Sequence, residues 1–314
     1  MHRIQYHNYG GPEAMRFEAF RLPEPAEFEV AVSVRATSVN PIDWKLRQGQ
    51  LKMMTGRTFP RAMGSDFSGI VSAVGGGVTN FKPGDEVFGI ARLKESGAFA
   101  EAVLTLESHL AAKPAELSFE QAAALPTSAV MAWIGLVERA NVRPGQRVFV
   151  AGATGGVGEA AVQVALMLGA TVAGSTGTTG LERAREMGVD PVFDYTQNDL
   201  SRQPDLRGMF DVVFDTSGFL PTNIAMRMLN KSGTFLDINA TPAKFFHSAL
   251  FRRHRIFFCT PTTQILTAAA KAAADGHIQP SIGETIPFSS AIDFIAGLEN
   301  GRKIAGKGLI TVNN

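Results

Sequence analysis

Residues 148–158 read VFVAGATGGVG, and this stretch decides the fold. A β-branched apolar run leads directly into glycines, and behind the glycines Ala161, Val164 and Leu168 recur at helical spacing. Gly169 is placed to end that helix. A strand, a glycine-rich turn and a helix in this order form a unit whose free backbone N–H groups can hold a phosphate group.

The chain after Arg147 alternates strand-like runs with helical or loop crossovers. Six such runs occur, namely VFVAGA, TVAGST, PVFDY, VVFDTS, TFLDINA and RIFFCTP. Strands joined by crossovers predict a doubly wound parallel sheet of the Rossmann type.

The first third of the chain has a different pattern, typical of a compact β domain. Short strand-like runs, RIQYHNYGG, EVAVSVRATSV, DFSGIVSAVG and GDEVFGI, are separated by Gly, Pro, Asn and Asp turn signals. At Ser118, with Gln121 three residues later, a capping box predicts the start of a helix. Pro126 interrupts that helical stretch, which leaves a second helix from about Thr127 to Ala140.

The C-terminal segment returns to a β pattern. It contains the run GETIPF, a helix expected to be capped by Ser290 with Asp293, and the strand GLITV. This tail is too short for a core of its own, so we expect it to pack on the N-terminal domain. The predicted domains are therefore 1–121 with 277–314, and 122–276.

Composition excludes several classes of protein. The 314 residues are 45% hydrophobic and 19% charged with a formal net charge of +1, which argues against a nucleic-acid or membrane partner held by bulk electrostatics. Cys259 is the only cysteine, so an intramolecular disulfide and a cysteine-rich metal site are both excluded. No apolar run reaches the roughly 18 residues of a membrane span, and no secretion signal is recognised. We expect a cytoplasmic protein.

The glycine turn is a variant of the dinucleotide fingerprint G-x-G-x-x-G. Ala153 stands at the first glycine position and Gly152 precedes it, while Gly155 and Gly158 match the second and third. Gly155 would let the backbone approach a pyrophosphate, and Gly158 would let helix and strand pack closely. The alternative is a glycine-rich turn without a ligand.

The end of the second strand predicts which dinucleotide binds. An NAD site has Asp or Glu there for the ribose 2′-hydroxyl, but residues 174–180 read GSTGTTG, with no acid before Glu182. Hydroxyls and free N–H groups tolerate a 2′-phosphate, which favours NADPH. The alternative is that these are only loop residues.

Motifs along nearly the whole chain resemble the zinc-independent medium-chain dehydrogenases/reductases, closest to the NADPH:quinone oxidoreductase and zeta-crystallin group. The resemblance is carried, in order, by YGGPEAM, ATSVNPIDWKLRQG, MGSDFSGIVSAVG, FKPGDEVFG, GAFAE, AAALPTSAVMAW, the glycine turn and GKGLITV. It implies a GroES-like β-barrel catalytic domain built from both chain ends, a Rossmann domain, and an active site in the cleft.

Residue types argue against zinc. Zinc-dependent relatives have a Gly-His-Glu segment where this chain has Gly64-Ser65-Asp66, and the cysteine ligand near Asn40 is absent. Catalytic zinc needs three protein ligands and an open position, so we predict no metal. Reduction of a quinone or an α,β-unsaturated carbonyl gives a delocalised anion, and such a reaction does not require a Lewis acid.

By resemblance, Asn40 and Asp43 are the predicted catalytic residues, with positioning and hydrogen-bonding roles beside the nicotinamide. For Asp43 an equal alternative is a structural pair with Arg47. Many relatives have tyrosine where this chain has Lys45 and threonine where it has Met131, so the resemblance does not carry over the tyrosine contact or the threonine hydrogen bond. The predicted cofactor-binding residues are Asn40, Thr127, Met131, Gly152, Ala153, Thr154, Gly155, Gly156, Val157, Gly158, Ser175, Thr176, Gly177, Arg183, Tyr195, Thr216, Ser217, Asn239, Ala240, Phe258 and Thr260. Since the family's lysine near Gly180 is missing, Arg183 or Ser175 is expected to substitute, or the preference for NADPH is weaker.

Three functions remain open: a reductase of quinones or enones, a 2-enoyl thioester reductase, and an NADPH-binding protein with little turnover. The basic run 252–255 could grip a coenzyme A phosphate, although a solvated turn is the favoured interpretation. Phenylalanines between 245 and 258 could line a substrate pocket or a homodimer contact, which in this family uses the last Rossmann strand. His109 and His247 are interpreted as packed or exposed residues without a catalytic role.

Overall fold

The computed structural model describes residues 1–239 and 241–312. The strands in these residues are β1 (His2–Tyr6), β2 (Arg16–Ala19), β3 (Glu29–Ser38), β4 (Arg61–Ala62), β5 (Asp66–Val74), β6 (Glu86–Ile90), β7 (Ala102–Leu106), β8 (Leu110–Ala112), β9 (Arg147–Ala151), β10 (Thr171–Thr176), β11 (Val189–Asp194), β12 (Phe210–Asp215), β13 (Leu229–Asp237), β14 (His254–Ile256), β15 (Ile282–Pro287) and β16 (Lys307–Thr311). The α-helices are α1 (Pro41–Arg47), α2 (Lys52–Thr55), α3 (Phe119–Ala124), α4 (Pro126–Trp133), α5 (Gly156–Met167), α6 (Leu181–Glu186), α7 (Thr222–Met228), α8 (Pro242–Leu250), α9 (Thr263–Ala274) and α10 (Ala291–Glu299).

The first of two compact units contains residues 1–127, 261–275 and the described residues from 280 onward. Its larger sheet has the order β15-β16-β3-β5-β6-β8, with β7 also paired to β3, and its smaller sheet has the order β2-β1-β4. The C-terminal strand β16 pairs antiparallel with β3, Leu309 opposite Ser38. Phe288, Phe294 and Ile310 join the same core as the N-terminal strands. The predicted return of the tail to the N-terminal domain is confirmed.

The second unit contains residues 128–260 and 276–279 and is built on one parallel sheet with the order β11-β10-β9-β12-β13-β14. All six predicted strands are present and every pairing is parallel, which confirms the doubly wound sheet. Ala151 at the end of β9 lies opposite Ser175 on one side and Asp215 on the other. The carboxyl ends of these strands therefore meet at one edge, where ligands bind in such sheets.

The capping box predicted at Ser118 and the helix break predicted at Pro126 are both present. The hydroxyl of Ser118 accepts from the backbone N–H of Gln121 at 3.2 Å, and the Gln121 amide oxygen accepts from the N–H of Ser118 at 2.9 Å. After α3, helix α4 begins at Pro126, as predicted, and the chain continues as a π-helix over Ile134–Arg139. A Cβ atom on Gly135 would lie 3.0 Å from the Phe214 ring, so glycine allows this helix to pack closely on its neighbours.

Two expectations differ from the structure. Ser290 precedes α10, but its side chain makes no capping hydrogen bond; a three-residue 3₁₀ turn leads into the helix instead, which places Ser290 outside capping geometry. Helix α9, expected in the Rossmann domain, groups with the first unit because it packs against β8. Within residues 1–239 and 241–312, no helix combines the length and the apolar character that crossing a bilayer requires.

Candidate active site and cofactor-binding loops

The carboxylate of Asp66 is the centre of a buried polar cluster in the first unit. It accepts hydrogen bonds from Oγ1 of Thr127 at 2.5 Å and from Nδ2 of Asn40 at 3.0 Å. The ammonium group of Lys307 lies 3.3 Å from Asp66 Oδ2, and the hydroxyl of Ser38 donates to the same oxygen at 3.3 Å. Asp66 is fully buried. A buried carboxylate is tolerated only when it is paired and hydrogen-bonded, and here both conditions are met.

Chain turns bring these side chains together. Asn40 is extended, with φ −126° and ψ 150°, because Pro41 follows it and opens α1. Asp66 is the first residue of β5, and Thr127 follows Pro126 at the start of α4. Pro41 and Pro126 restrict the backbone at the starts of α1 and α4. This restriction holds the side chains of Asn40 and Thr127 beside Asp66, the first residue of β5.

Asp43 forms a second buried carboxylate next to this cluster. Its Oδ2 accepts from the backbone N–H of Asn40 at 2.8 Å, and its Oδ1 accepts from the hydroxyl of Ser65 at 2.8 Å. Burial raises the pKa of Asp43 to about 7, although those hydrogen bonds oppose the shift, and the nearby charge of Asp66 raises it further. Asp43 therefore fixes the backbone N–H of Asn40, and with a pKa of about 7 its carboxyl group titrates near neutral pH.

The alternative pairing of Asp43 with Arg47 is wrong. The guanidinium of Arg47 is fully buried and pairs with the carboxylate of Glu299, while its Nε donates to the carbonyl oxygen of Gly10 at 3.3 Å. Arg47 lies four residues after Asp43 on the same short helix, but it reaches α10, which sequence spacing alone could not indicate.

Lys307 is a site residue that the sequence analysis missed. It is the first residue of β16, and only 8% of its surface is exposed. A lysine at the start of the otherwise apolar run GLITV was the available signal, because a buried cation needs an anionic partner. Its partner Asp66 was considered only as an insufficient metal ligand.

The glycine turn of residues 152–158 joins β9 to α5 in the second unit. Gly152 has φ +80°, a conformation that other residues rarely adopt. Gly155 is the N-cap residue of α5, and a Cβ there would come no closer than 3.4 Å to the nearest atom, so space is open beside the helix N-terminus. A Cβ on Gly158 would lie 1.9 Å from the carbonyl oxygen of Gly152, so only glycine fits. The tight contact at Gly158 agrees with its predicted role in close helix packing, and the approach of Gly155 to a pyrophosphate stays a prediction.

Hydroxyl groups surround the end of β10. Oγ1 of Thr154 and Oγ1 of Thr176 are hydrogen-bonded to each other, and a Cβ on Gly180 would collide with both. The hydroxyl of Thr178 donates to Asp194 at 2.6 Å. These hydrogen bonds from Thr178 and from Thr196 keep the pKa of Asp194 below its usual value.

The two residues expected to replace the family's lysine differ in accessibility. Ser175 is buried, whereas the side chain of Arg183 is 42% exposed, and its guanidinium lies 3.2 Å from the carboxylate of Glu159 and 3.7 Å from that of Glu186. Tyr195 is also exposed, and its hydroxyl would be 3.2 Å from a Cβ on Gly177. Of Ser175 and Arg183, Arg183 is the one with a partly exposed side chain, and its guanidinium is ion-paired to Glu159 and Glu186.

The loops after β12 and β13 are organised by buried carboxylates. Oδ1 of Asp215 accepts from the hydroxyl of Ser217 at 2.8 Å, and Oδ1 of Asp237 accepts from the backbone N–H of Asn239 at 2.8 Å. The amide of Asn239 in turn donates to the carbonyl oxygen of Gly218 at 2.9 Å, which ties the two loops together. These loops hold predicted cofactor residues at the carboxyl edge of the sheet.

The remaining predicted residues are placed as follows. The hydroxyl of Thr216 donates to the carbonyl oxygen of Ala151 at 2.7 Å. Met131 on α4 is 5% exposed, and Phe258 after β14 is 44% exposed. Ala240 lies outside the described residues.

Comparisons with known proteins agree with this architecture. Residues 26–115 match the alcohol dehydrogenase GroES-like domain, and residues 187–310 match the zinc-binding dehydrogenase domain. The chain is 32% identical over 249 residues to a chloroplastic quinone-oxidoreductase homolog of Spinacia oleracea, covering 77% of this chain and 76% of that protein. It is 32% identical over 307 residues to a chloroplastic NADPH-dependent alkenal/one oxidoreductase of Arabidopsis thaliana, covering 94% and 75%. The quinone oxidoreductase of Escherichia coli, solved in complex with NADPH, superimposes with a TM-score of 0.84 at 26% identity, covering 99% and 100%.

This chain belongs to the quinone oxidoreductase group of medium-chain dehydrogenases/reductases. The GroES-like and Rossmann domains expected from the motifs are both confirmed. The zinc-dependent members of the wider family raise the question of whether these residues could hold zinc.

The donor set does not fit a catalytic zinc ion. Ser65 occupies the position of the expected histidine ligand, and its hydroxyl donates to Asp43. Beside Asp66, the ammonium of Lys307 would repel a divalent cation. Among residues 1–239 and 241–312, no three His, Cys, Asp or Glu side chains are grouped so that they could bind a metal ion.

The basic run 252–255 is only partly the solvated turn that was favoured, because Arg252 and Arg255 are exposed whereas Arg253 is half-buried and leads into the strand β14. Nε of Arg253 donates to the carbonyl oxygen of Gly233 at 2.8 Å, and the guanidinium of Arg255 donates to that of Arg139. His254 is buried. Its Nδ1 lies 3.0 Å from Nδ1 of His247, so His247 is not isolated. The run therefore leads into the edge strand β14, and its contacts with Gly233 and Arg139 join residues far apart in the sequence.

Proposed function

We propose that this chain is an NADPH-dependent oxidoreductase that transfers a hydride to quinones or to other α,β-unsaturated carbonyl compounds. The observation that carries the proposal is the dinucleotide turn of residues 152–158, whose neighbouring strand β10 ends on hydroxyl groups without a free carboxylate. The name of its Arabidopsis relative describes the same cofactor and acceptor class.

The residues of the second unit fit the cofactor. The N-terminus of α5, with open space at Gly155, would hold the pyrophosphate. Thr176, Gly177 and Tyr195 would contact the adenosine end, with Arg183 as the cation for the 2′-phosphate. The loops after β12 to β14 would hold the nicotinamide half through Thr216, Ser217, Asn239, Phe258 and Thr260. The loop residues Ala153, Thr154, Gly156 and Val157 would line the phosphates.

The polar cluster around Asp66 in the first unit suits one class of acceptor. Bound NADPH would supply the hydride. With Ser65 in place of a histidine and Lys307 beside Asp66, we propose a zinc-independent reaction. The acceptors that suit such a site form a phenolate or an enolate, whose charge is delocalised. Asn40 and Asp43 would position the reacting groups.

The proposal is tested by an acceptor screen with the purified chain. NADPH oxidation is followed at 340 nm with 1,4-benzoquinone, 9,10-phenanthrenequinone, an enone and crotonyl-CoA, each with NADH in parallel. We expect turnover with the quinones and the enone that a metal chelator leaves unchanged. Turnover of crotonyl-CoA alone would show a thioester reductase, and tight NADPH binding without any turnover would show a binding protein. The basic run offers the thioester alternative less support, because Arg253 and Arg255 donate to backbone carbonyls, and the exposed Arg252 is the arginine that the crotonyl-CoA assay would implicate.

A homodimer through the last Rossmann strand is also proposed. Strand β14 lies at the edge of the sheet, and helix α8 beside it exposes Phe245, Phe246 and Leu250. Size-exclusion chromatography with light scattering should give twice the chain mass, and a monomer at micromolar concentration would contradict the proposal. A cytoplasmic location stays a prediction, since some relatives are named chloroplastic.

A further inference from the structure

The proton on the Thr127 hydroxyl has a defined direction. Oγ1 of Thr127 lies 2.5 Å from Oδ1 of Asp66, and an ionised carboxylate can only accept. The single hydroxyl proton therefore lies on the line to Asp66, and the backbone N–H of Thr127 also points to this carboxylate, at 3.2 Å. What Thr127 offers to any other group is a pair of acceptor sites.

The amide of Asn40 is constrained in the same way. Its Nδ2 donates to Oδ2 of Asp66 at 3.0 Å and to the carbonyl oxygen of Ser38 at 3.3 Å. An amide nitrogen has two protons, and both are thus engaged. The amide oxygen faces the backbone N–H of Asp43 in the capping box of α1, and its second lone pair gives Asn40 acceptor capacity only toward a bound molecule.

Lys307 accounts for the charge that this arrangement needs. A neutral acid or an amide at residue 66 could donate as well as accept, and the direction of both hydrogen bonds would be lost. The Lys307 ammonium lies 3.3 Å from Asp66 Oδ2, and both side chains are buried, so the pair stabilises the form that only accepts.

We propose that Asp66, paired with Lys307, is a positioning residue that makes Asn40 and Thr127 hydrogen-bond acceptors. They then bind donor groups of the cofactor, such as a ribose hydroxyl or the carboxamide N–H, and do not stabilise the anion formed on the substrate. This inference rests on the proposed function and assigns a polarity to part of its site.

An anionic product would be repelled at these two atoms. A phenolate or enolate oxygen beside Thr127 would face lone pairs, with the charge of Asp66 directly behind them. A hydroxyl or amide N–H meets the opposite situation, because a donor is attracted by the same lone pairs. The cluster therefore discriminates between cofactor donors and the reduced acceptor.

The principal test changes polarity and keeps shape. The double variant Asp66→Asn with Lys307→Met removes both buried charges together, and its amide at residue 66 can donate toward Thr127 and Asn40. We expect the KM and the Kd for NADPH to rise about tenfold, while the KM for 1,4-benzoquinone stays within twofold of wild type. An unchanged NADPH Kd, or equal increases in both KM values, would overturn the inference.

A second test needs no change in buried charge. Thr127→Val removes the acceptor atom and should also weaken NADPH binding, while Thr127→Ser keeps it and should bind as wild type does. A further comparison starts from a chain that already carries Thr127→Val and Asn40→Ala. Adding Asp66→Asn and Lys307→Met to that chain should change the NADPH Kd by less than twofold, because the acceptor atoms through which Asp66 acts are gone. A persistent tenfold effect, or equal Kd values for the valine and serine variants, would contradict the mechanism.

The wild-type chain separates this inference from the proposed function. If the wild-type chain fails to oxidise NADPH in the presence of every quinone and enone tested, the proposed function fails. If wild type is active and the variants bind NADPH as it does, the inference alone fails. Circular dichroism of each variant shows that its fold is retained, and the Thr127 pair decides the question should the double variant not fold.

Discussion

Lys244 and Asp237 form an ion pair at the carboxyl edge of the parallel sheet, with Nζ of the lysine 2.8 Å from Oδ2 of the aspartate. The same ammonium lies 3.8 Å from Oδ2 of Asp215, and both carboxylates are fully buried. Burial raises the pKa of Asp215. Burial also opposes ionisation of Asp237, yet hydrogen bonds from His254 and Lys244 hold its pKa below the usual value. One lysine therefore stabilises two strand ends.

Replacing this lysine should destabilise the second unit. Lys244→Met removes the ammonium group that pairs with both buried carboxylates, and breaking such a cluster costs about 3 kcal/mol. Urea unfolding at pH 7 measures the loss, and Lys244→Arg, which keeps the charge, is the matched control. Because protonation relieves the repulsion, the loss should be smaller at pH 5. An equal loss at both pH values would contradict this account.

Asp43 predicts a pH-dependent stability. Its folded-state pKa of about 7 lies above the ordinary aspartate value of 3.8. Its stabilising effect is therefore complete below about pH 4 and is lost as the pH rises through 7. In Asp43→Asn the free energy of unfolding should fall less between pH 5 and pH 8 than in wild type, by on the order of 2 kcal/mol.

The matched control for this prediction is Asp205→Asn, since Asp205 is exposed. Its unfolding free energy should follow that of wild type across the pH range. The charged groups that act on Asp43 are Asp66 and Lys307, and both remain in either variant. Parallel pH profiles for Asp43→Asn and wild type would show that the carboxyl group does not titrate near neutrality.

Local pattern was enough to predict the parallel sheet. Each strand is an apolar run bounded by turn residues. The glycine turn adds a second constraint, because only glycine at position 158 leaves room for the backbone of Gly152. The capping box at Ser118 and the break at Pro126 were predictable for the same reason, because each depends on residues three or four positions apart.

The partners of buried charges could not be predicted. Asp66 and Lys307 are 241 positions apart, so nothing local indicates that they meet. Arg47 was paired with its neighbour Asp43, but the fold brings Glu299 to it instead. Burial is set by the tertiary structure, and the pairing of charges follows burial, so the polarity of the site became visible only in three dimensions.

Two glycines of the turn should respond differently to alanine. A Cβ on Gly158 would lie 1.9 Å from a backbone oxygen, so Gly158→Ala must displace the helix and should cost about 1–3 kcal/mol of stability. A Cβ on Gly155 has room, since its nearest neighbour is 3.4 Å away. Gly155→Ala should keep wild-type stability and weaken NADPH binding, because the methyl group occupies the space of the phosphate.

Thermal unfolding and NADPH titration of both variants check this pair. The prediction requires a stability loss in one variant and a binding loss without a stability loss in the other. If Gly155→Ala binds NADPH as wild type does, then residues 152–158 do not approach the pyrophosphate. If Gly158→Ala unfolds at the wild-type temperature, the close packing of helix and strand is absent.

Arg183 should determine the preference for NADPH over NADH. Arg183 lies on α6, the helix that follows β10, and its side chain is partly exposed; a 2′-phosphate there would compete with the ion pairs that Arg183 makes to Glu159 and Glu186. Arg183→Ala should raise the KM for NADPH about tenfold and leave the KM for NADH unchanged, because only NADPH carries the 2′-phosphate.

Arg185→Ala, on the exposed face of the same helix, is the matched control and should alter neither value. A proportional change for both cofactors would mean that Arg183 supports the loop structure, and the hydroxyls of Thr176 and Thr178 would then be the groups to test for the phosphate.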